Sequence, residues 1–378
     1  MLTPEFLQAC ADEVTQIAEH IDAYAIRKIA ERMTIRLEKG KKALSQTDIY
    51  QIRAMQETGA LVKDISDEIT RISGLEAEVV ESSIVQAGIV ALEAEDAVYK
   101  AQGLQTSKAS VWVTRLAERN ARKCLNTIRN VTGTFAKSAG NEFVLRTNQA
   151  WARIMSGAQS AGGAIIDAIK DMSAKGVKVT YGKNDRPEKL EVATARAIRT
   201  SIAQTNGDIA IKRMEEMEWD IILVSAHVGA RNVGTGYENH EAWQGKFYSL
   251  SGNDPRFPDF YSSTGYGELL GLCGVNCRHS FGAGDGEHNP YTLPTHAEND
   301  KQYTINQQAR AKERKIRALK KQRDALQASL RVATDPQTKE ELDKALKSTR
   351  KRLREHNEAY REFCNAHGMK VREERLAI

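Results

Sequence analysis

Trp219-Asp220-Ile221-Ile222-Leu223-Val224-Ser225 decides the fold class, because it is the clearest strand in a chain that otherwise reads as helix. Four consecutive branched aliphatics lie between an acid and a serine. That run is too short for a helical stripe and rich in β-branched residues, so it predicts a buried strand. A chain with one such strand, set among long helical patterns, is mainly α with a small α+β central domain. Before it, Leu190–Met217 carries Ala193, Ala197, Ile198, Ile202 and Ile209 at helical spacing. Further upstream, Gly176-Val177-Lys178-Val179-Thr180-Tyr181 predicts a short strand, and residues 182–187 a turn.

The first 172 residues show no period-two alternation. Thr3 suits an N-cap and Pro4 the first helical position, with Glu5 at the positive end of the dipole. Leu7, Cys10, Val14, Ile17, Ile21 and Tyr24 then form one apolar stripe that Gly40 ends. A second pattern starts near Thr47-Asp48, carries Ile52, Met55, Val62, Ile65, Ile69 and Ile72, and stops near Gly74. Others cover about 75–101, 107–130 and 141–172. These predict a helical N-terminal bundle built of antiparallel hairpins.

After the strand the character changes. Residues 229–289 are dense in Gly, with His, Trp, Tyr, Phe and Cys interleaved. An irregular segment of that length needs an internal staple. Beyond it lie two helical patterns, about 303–332 and, from Asp335-Pro336 onward, a stripe of Leu342, Leu346, Thr349, Leu353, His356, Tyr360 and Phe363. Alternating steps of four and three residues, with Gly368 as a stop, predict a C-terminal αα-hairpin. The expected division is therefore 1–172, a helical domain; 173–298, an α+β domain with a Cys/His-rich loop; and 299–378, a helical tail.

Composition supports helix: aromatics are 6% and prolines number 7. No stretch approaches the ~20 apolar residues that span a bilayer, so no membrane partner is expected. Met1-Leu2-Thr3-Pro4-Glu5 lacks the pattern of a signal peptide, which places synthesis in a reducing cytoplasm. The net charge of +5 is concentrated in the tail: residues 301–378 hold 21 Lys and Arg against 11 Asp and Glu, while the rest is acidic. Arg314, Lys315, Lys320, Lys321, Arg350, Lys351, Arg352 and Arg354 are the cations expected to meet DNA phosphates, in a salt-dependent and sequence-independent way. The other reading of the tail is a solvated helix pair packed on a partner helix.

Of five cysteines, Cys10, Cys124 and Cys364 fall on helical patterns and read as packing residues. Cys273 and Cys277 are separated by three residues, and His279 follows two later. That spacing aims two thiolates and an imidazole at one point, and His240, or else His227, completes a tetrahedral structural Zn²⁺ site. A metal supplies folding free energy that a Gly-rich segment cannot draw from burial. The competing reading makes both cysteines small buried hydrophobes and gives His279 a single hydrogen bond. Known catalytic spacings fail: no Pro-Cys-x-x-Cys exists for a deaminase, and His240-Glu241 lacks the second His of a zincin. A Cys–His nucleophile built on Cys277 needs an activating environment. Residues 282–286 lack the Lys-Ser/Thr step of a P-loop and read as a flexible turn. The chain is therefore not expected to be an enzyme. The alternative is a metal-dependent enzyme or nuclease delivered with DNA.

These motifs resemble the phage minor capsid protein 2 family and, more distantly, head-morphogenesis proteins like Mu F. The resemblance rests on residues 176–182, on Val192–Ser201, and on Val224-Ser225-Ala226-His227-Val228-Gly229-Ala230-Arg231. It rests further on His240-Glu241-Ala242-Trp243-Gln244-Gly245-Lys246, Thr264-Gly265-Tyr266-Gly267 and Gly274-Val275-Asn276-Cys277-Arg278-His279. Between Arg231 and His240 the chain departs from the family's short Pro-containing link. The resemblance implies a structural virion protein of a tailed bacteriophage, at the portal vertex or capsid interior. Its implied partners are the portal or the major capsid protein and packaged DNA, and it is expected in more than one copy.

Overall fold

A computed structural model describes residues 2–40, 47–106, 111–180 and 187–378. The predicted turn at 182–187 falls largely on 181–186, outside the described residues, as do residues 107–110 and the side chains of Ile52 and Met55. The elements in chain order are α1 (Pro4–Gly40), α2 (Thr47–Ala101), α3 (Val111–Met155), α4 (Ala161–Lys175), β1 (Lys178–Val179), β2 (Glu188–Lys189) and α5 (Leu190–Glu216). There follow β3 (Ile221–Val224), α6 (His240–Trp243), β4 (Phe247–Ser249), α7 (Phe260–Thr264), β5 (Phe281–Ala283), α8 (His296–Val332) and α9 (Pro336–Ala366). The chain is mainly α with a small α+β part.

Two helical boundaries differ from the sequence reading. The patterns on either side of Gly74 form one helix, α2. A lone glycine costs only about 1 kcal/mol against alanine, less than a break would lose in hydrogen bonds and packing. Likewise 107–130 and 141–172 are not the units: α3 runs unbroken to Met155. Gly140 is tolerated there because a Cβ on it would come 2.8 Å from Val62 Cγ2 and 3.1 Å from Thr58 Cγ2, so the glycine lets α2 and α3 approach closely. The break comes at Ser160, whose hydroxyl accepts from Gly163 N and starts α4. In the tail, Asp335 caps α9 through Thr338 N, as its sequence implies.

The described residues form two compact units: Met1–Val14 with Leu75–Thr127 and Ala195–Gln307, and Thr15–Gly74 with Ile128–Thr194 and Gln308–Ile378. In the second unit, Ile21, Ile26, Ile29 and Met33 of α1 share one core with Leu61 and Ile65 of α2, Phe135 and Phe143 of α3, Ile165 and Ile169 of α4, Leu326 of α8, and Leu342 and Leu346 of α9. Each large aliphatic or aromatic buried this way contributes about 1.5–3 kcal/mol. A neighbouring cluster of Ile316, Leu319, Leu353, Tyr360, Cys364 and Leu376 holds the α8–α9 hairpin together.

In the first unit the sheet order is β4-β3-β5, both pairs antiparallel, with Ile222 opposite Tyr248 on one side and Ala283 on the other. β3 is therefore the central strand, which is why it reads as a continuous apolar run. Its core includes Tyr99, Met214, Trp243, Phe260 and Phe281. Gly282 and Ala283 belong to β5 rather than to a flexible turn, a correction to the reading of 282–286.

Candidate metal centre

The sheet places the histidines. β3 continues into Ser225, whose amide donates to Ser280 O, while Ser280 N donates back to Ser225 Oγ. The two extensions run side by side, so the rings of His227 and His279 stack with centroids 4.3 Å apart. His240 opens the short helix α6, where Glu241 N donates to Arg231 O and Trp243 Nε1 to Tyr237 O at 2.8 Å. Trp243 packs edge-on to His279 with centroids 4.8 Å apart.

The thiols come from a chain of turns. Leu272 N donates to Thr264 O, Val275 N to Leu269 O, and Cys277 N to Gly274 O. Cys273 and Asn276 both sit in the left-handed region at φ 60, uncommon for residues with a Cβ. Arg231 fastens this loop from outside, donating to Leu270 O at 3.0 Å and Val275 O at 2.7 Å.

The result is a buried group of His240, Cys277 and His279 whose ligand atoms lie within 4.8 Å of one another. Their exposures are 1%, 4% and 0%. Cys277 Sγ is 3.6 Å from His279 Nδ1. Metal bonds of about 2.1 Å to nitrogen and 2.3 Å to sulfur subtend roughly that edge at the tetrahedral angle. The far nitrogens are engaged elsewhere: His279 Nε2 pairs with Gln244 Oε1 at 3.0 Å and His240 Nε2 with Leu270 O at 2.9 Å. Both acceptors require an N–H, so each ring keeps its Nδ1 lone pair free. Hydrogen bonds of this kind fix the tautomer of an imidazole that is to bind a metal.

Burial sets the protonation states. It holds His240 down to about 4, with Arg231 and His227 adding to the effect against the Leu270 hydrogen bond. Burial and the charges of His227 and His240 hold His279 well below the usual imidazole range. The same burial pushes the Cys277 thiol up to about 11. The imidazoles are therefore neutral, as ligands must be, while a metal at Cys277 would displace a proton. This donor set of one thiol and two imidazoles can hold a metal ion.

Sequence reasoning named four first-choice ligands, and three of them meet. Cys273 stands apart from the group: its Sγ points to the carbonyl of His279 at 3.8 Å, within the apolar core. Burial and the neighbouring Cys277 push that thiol far up. The alternative ligand, His227, also lies outside the group; its buried Nε2 has no hydrogen-bond partner among the described residues, while its Nδ1 lies 3.2 Å from Val228 O. Gln244 was missed. Its Oε1 takes both His279 Nε2 and the His227 amide at 3.0 Å, and only its place in the His-Glu-Ala-Trp-Gln-Gly-Lys motif hinted at a role. Gly245 follows at φ 61, where a Cβ would come 3.0 Å from that of Ala226 and 2.6 Å from Leu293 Cδ2.

The tail cations scatter. Arg314, Lys315, Arg350, Lys351 and Arg354 are exposed, and Arg352 is half-buried. Lys320 is half-buried and donates to Leu376 O at 2.7 Å. Lys321 corrects the sequence reading. It is 4% exposed, and its ammonium lies 2.5 Å from both Glu19 and Asp22. Burial opposes that charge, but the two carboxylates raise its pKa nonetheless. Among the described residues, no helix is long and apolar enough to cross a membrane.

Comparison with known proteins gives one family. The family model described as phage minor capsid protein 2 matches residues 2–365. No curated protein and no solved structure matches the chain.

Proposed function

The chain belongs to the phage minor capsid protein 2 family, a structural protein of the bacteriophage virion, and from that premise we propose that it is a static assembly part of the head with a metal-stapled centre. It works at the portal vertex or on the capsid interior, against the portal or the major capsid protein, in several copies. Residues 1–172 serve attachment, 173–298 form the stapled domain, and 299–378 face packaged DNA. The observation that carries this reading is the full burial of His240, Cys277 and His279. A catalytic metal needs an open coordination position reached by substrate, and a group with almost no exposure is suited instead to cross-linking. Zn²⁺ is the ion that a thiolate and two imidazoles fit, held by His240, Cys277 and His279, with neither Cys273 nor His227 in the group. When bound, the ion ties the turns of 269–277 to α6 and the sheet and supplies folding free energy.

Metal analysis by mass spectrometry of the purified full chain is expected to find about one zinc per chain. Cys277→Ala and His240→Ala are expected to lose the metal and to lower the melting temperature together. Less than about one metal per ten chains, with melting indifferent to chelators, refutes the staple. Variants that lose metal yet melt like the parent favour the alternative, a metal-dependent enzyme or nuclease. Imaging the intact head with this protein labelled tests its position. The exposed cations Arg314, Lys315, Arg350, Lys351 and Arg354 support the DNA contact.

A further inference from the structure

One cationic stripe on α8 meets two different environments within the second unit. Arg310, Arg314, Arg317 and Lys321 follow at steps of four, three and four residues and share a face. The C-terminal half is neutralised: Arg317 Nε lies 2.7 Å from Glu19 Oε1, and Lys321 reaches Glu19 and Asp22. The N-terminal half receives more cations instead. A 3-10 turn, Glu373–Leu376, folds over α8 there, held by buried Leu376. Arg317 and Lys320 also hold it, donating to the carbonyls of Arg375 and Leu376 at 2.6 and 2.7 Å.

That turn brings Arg372 and Arg375 to Arg310 and Arg314. Glu313 is an acid in reach, and its Oε1 already accepts the Tyr360 hydroxyl at 2.8 Å and lies 3.9 Å from Arg375 Nη1. Glu373 turns away to Arg361 at 3.0 Å. Arg310, Arg314 and Arg372 have no hydrogen bond or ion pair to any described residue. Burial, and then the charges of Arg375, Arg314 and Arg372, lower the pKa of Arg310. The guanidinia of Arg310, Arg314 and Arg372, gathered beside the paired Arg375, form an electrostatically unsatisfied cluster, and an anion relieves it.

We propose that Arg310, Arg314, Arg372 and Arg375 form an anion site that takes a backbone phosphate of double-stranded DNA. The proposal rests on the reading that the tail faces packaged DNA, and it gives that contact a built site rather than a diffuse charge. Planar guanidinium forks match phosphate oxygens pairwise. An acidic protein partner fits less well. Protein interfaces need apolar anchors at their centre, and none of the exposed large hydrophobic side chains falls in residues 308–378.

The test is fluorescence anisotropy of a labelled random-sequence duplex with the full chain, from about 50 to 200 mM salt. Arg310→Gln/Arg314→Gln is expected to weaken binding about tenfold or more, and to cut the log–log salt slope by about 1. Arg372→Gln should act in the same direction by severalfold, and Lys344→Gln should change neither quantity. Relief of mutual repulsion should leave melting unchanged or raised. If the double variant misfolds, Arg372→Gln, on the covering turn, carries the test. A parent that binds duplex together with variants that bind equally well overturns the site and leaves the tail–DNA contact standing. A parent that fails to bind at the lowest salt overturns both. Displacement of the duplex by polyglutamate as readily as by unlabelled duplex overturns the phosphate assignment in favour of a carboxylate partner.

Discussion

Replacing Lys321 with methionine removes the cation between two buried carboxylates. Glu19 and Asp22 are 2% and 0% exposed and are left facing each other in the second unit. Breaking a buried pair by deleting one partner typically costs about 3–5 kcal/mol. Two contacts survive and favour the lower end: Arg317 Nε stays 2.7 Å from Glu19 Oε1, and Val177 N still donates to Asp22 Oδ1 at 2.8 Å. A third group works the other way. Burial and the charge of Glu19 already raise the Glu191 carboxyl to about 7, and Lys321 is one of the cations opposing that rise. The expected loss is therefore about 3–4 kcal/mol, or roughly 6–16 °C in melting temperature for a unit of this size. Scanning calorimetry of the full chain reads it. The triple change Glu19→Gln/Asp22→Asn/Lys321→Met is expected to recover most of the loss, because neutral partners remove the uncompensated charge. If Lys321→Met melts within about 1 °C of the parent, Lys321 is not the counter-ion of a buried cluster. Its reading as a surface cation then returns.

Three further outcomes follow from the geometry. Burial raises Glu95 to about 7, against a hydrogen bond from Ala283 N. Its unfolded value lies near 4.5, so the unfolded chain releases its proton first as pH rises. Stability should fall by about 3 kcal/mol between pH 4.5 and 7 and then level off. Glu95→Gln should flatten this dependence in melting curves, and an unchanged pH profile would contradict it. Asp335→Ala removes the acceptor for Thr338 N at 2.9 Å and should cost about 1 kcal/mol by denaturant titration, with Asp335→Asn retaining most of it. Gly245→Val is strained at φ 61 and collides with Leu293. It should lower the melting temperature by several degrees, whereas Ala158→Val, on an exposed turn, should be neutral.

The helical patterns were legible because helix is a local code. Apolar residues three and four apart declare a face, and Thr3, Asp335 and Pro336 declare a start. β3 was legible because a central strand is apolar on both faces. One glycine misled. Gly74 looked like a stop but lies inside α2, since packing partners distant in sequence override a propensity of about 1 kcal/mol. In the candidate centre, residue type and spacing brought forward Cys277, His279 and His240, but spacing also put Cys273 among them. Which of these residues meet depends on how β3 and β5 pair and on how the loop carrying two positive-φ residues turns.

Charge shows the limit most clearly. The sequence by itself determined that the tail is basic and that its cations fall on helical faces. Only the tertiary structure decided which of them meet carboxylates. Lys321 and Glu19 are about 300 residues apart in sequence yet 2.5 Å apart in the fold, while Arg310, one stripe position among equals, is left beside other arginines. Helical periodicity is written within a few residues, whereas the partner of a charge is fixed by whichever distant segment packs against it.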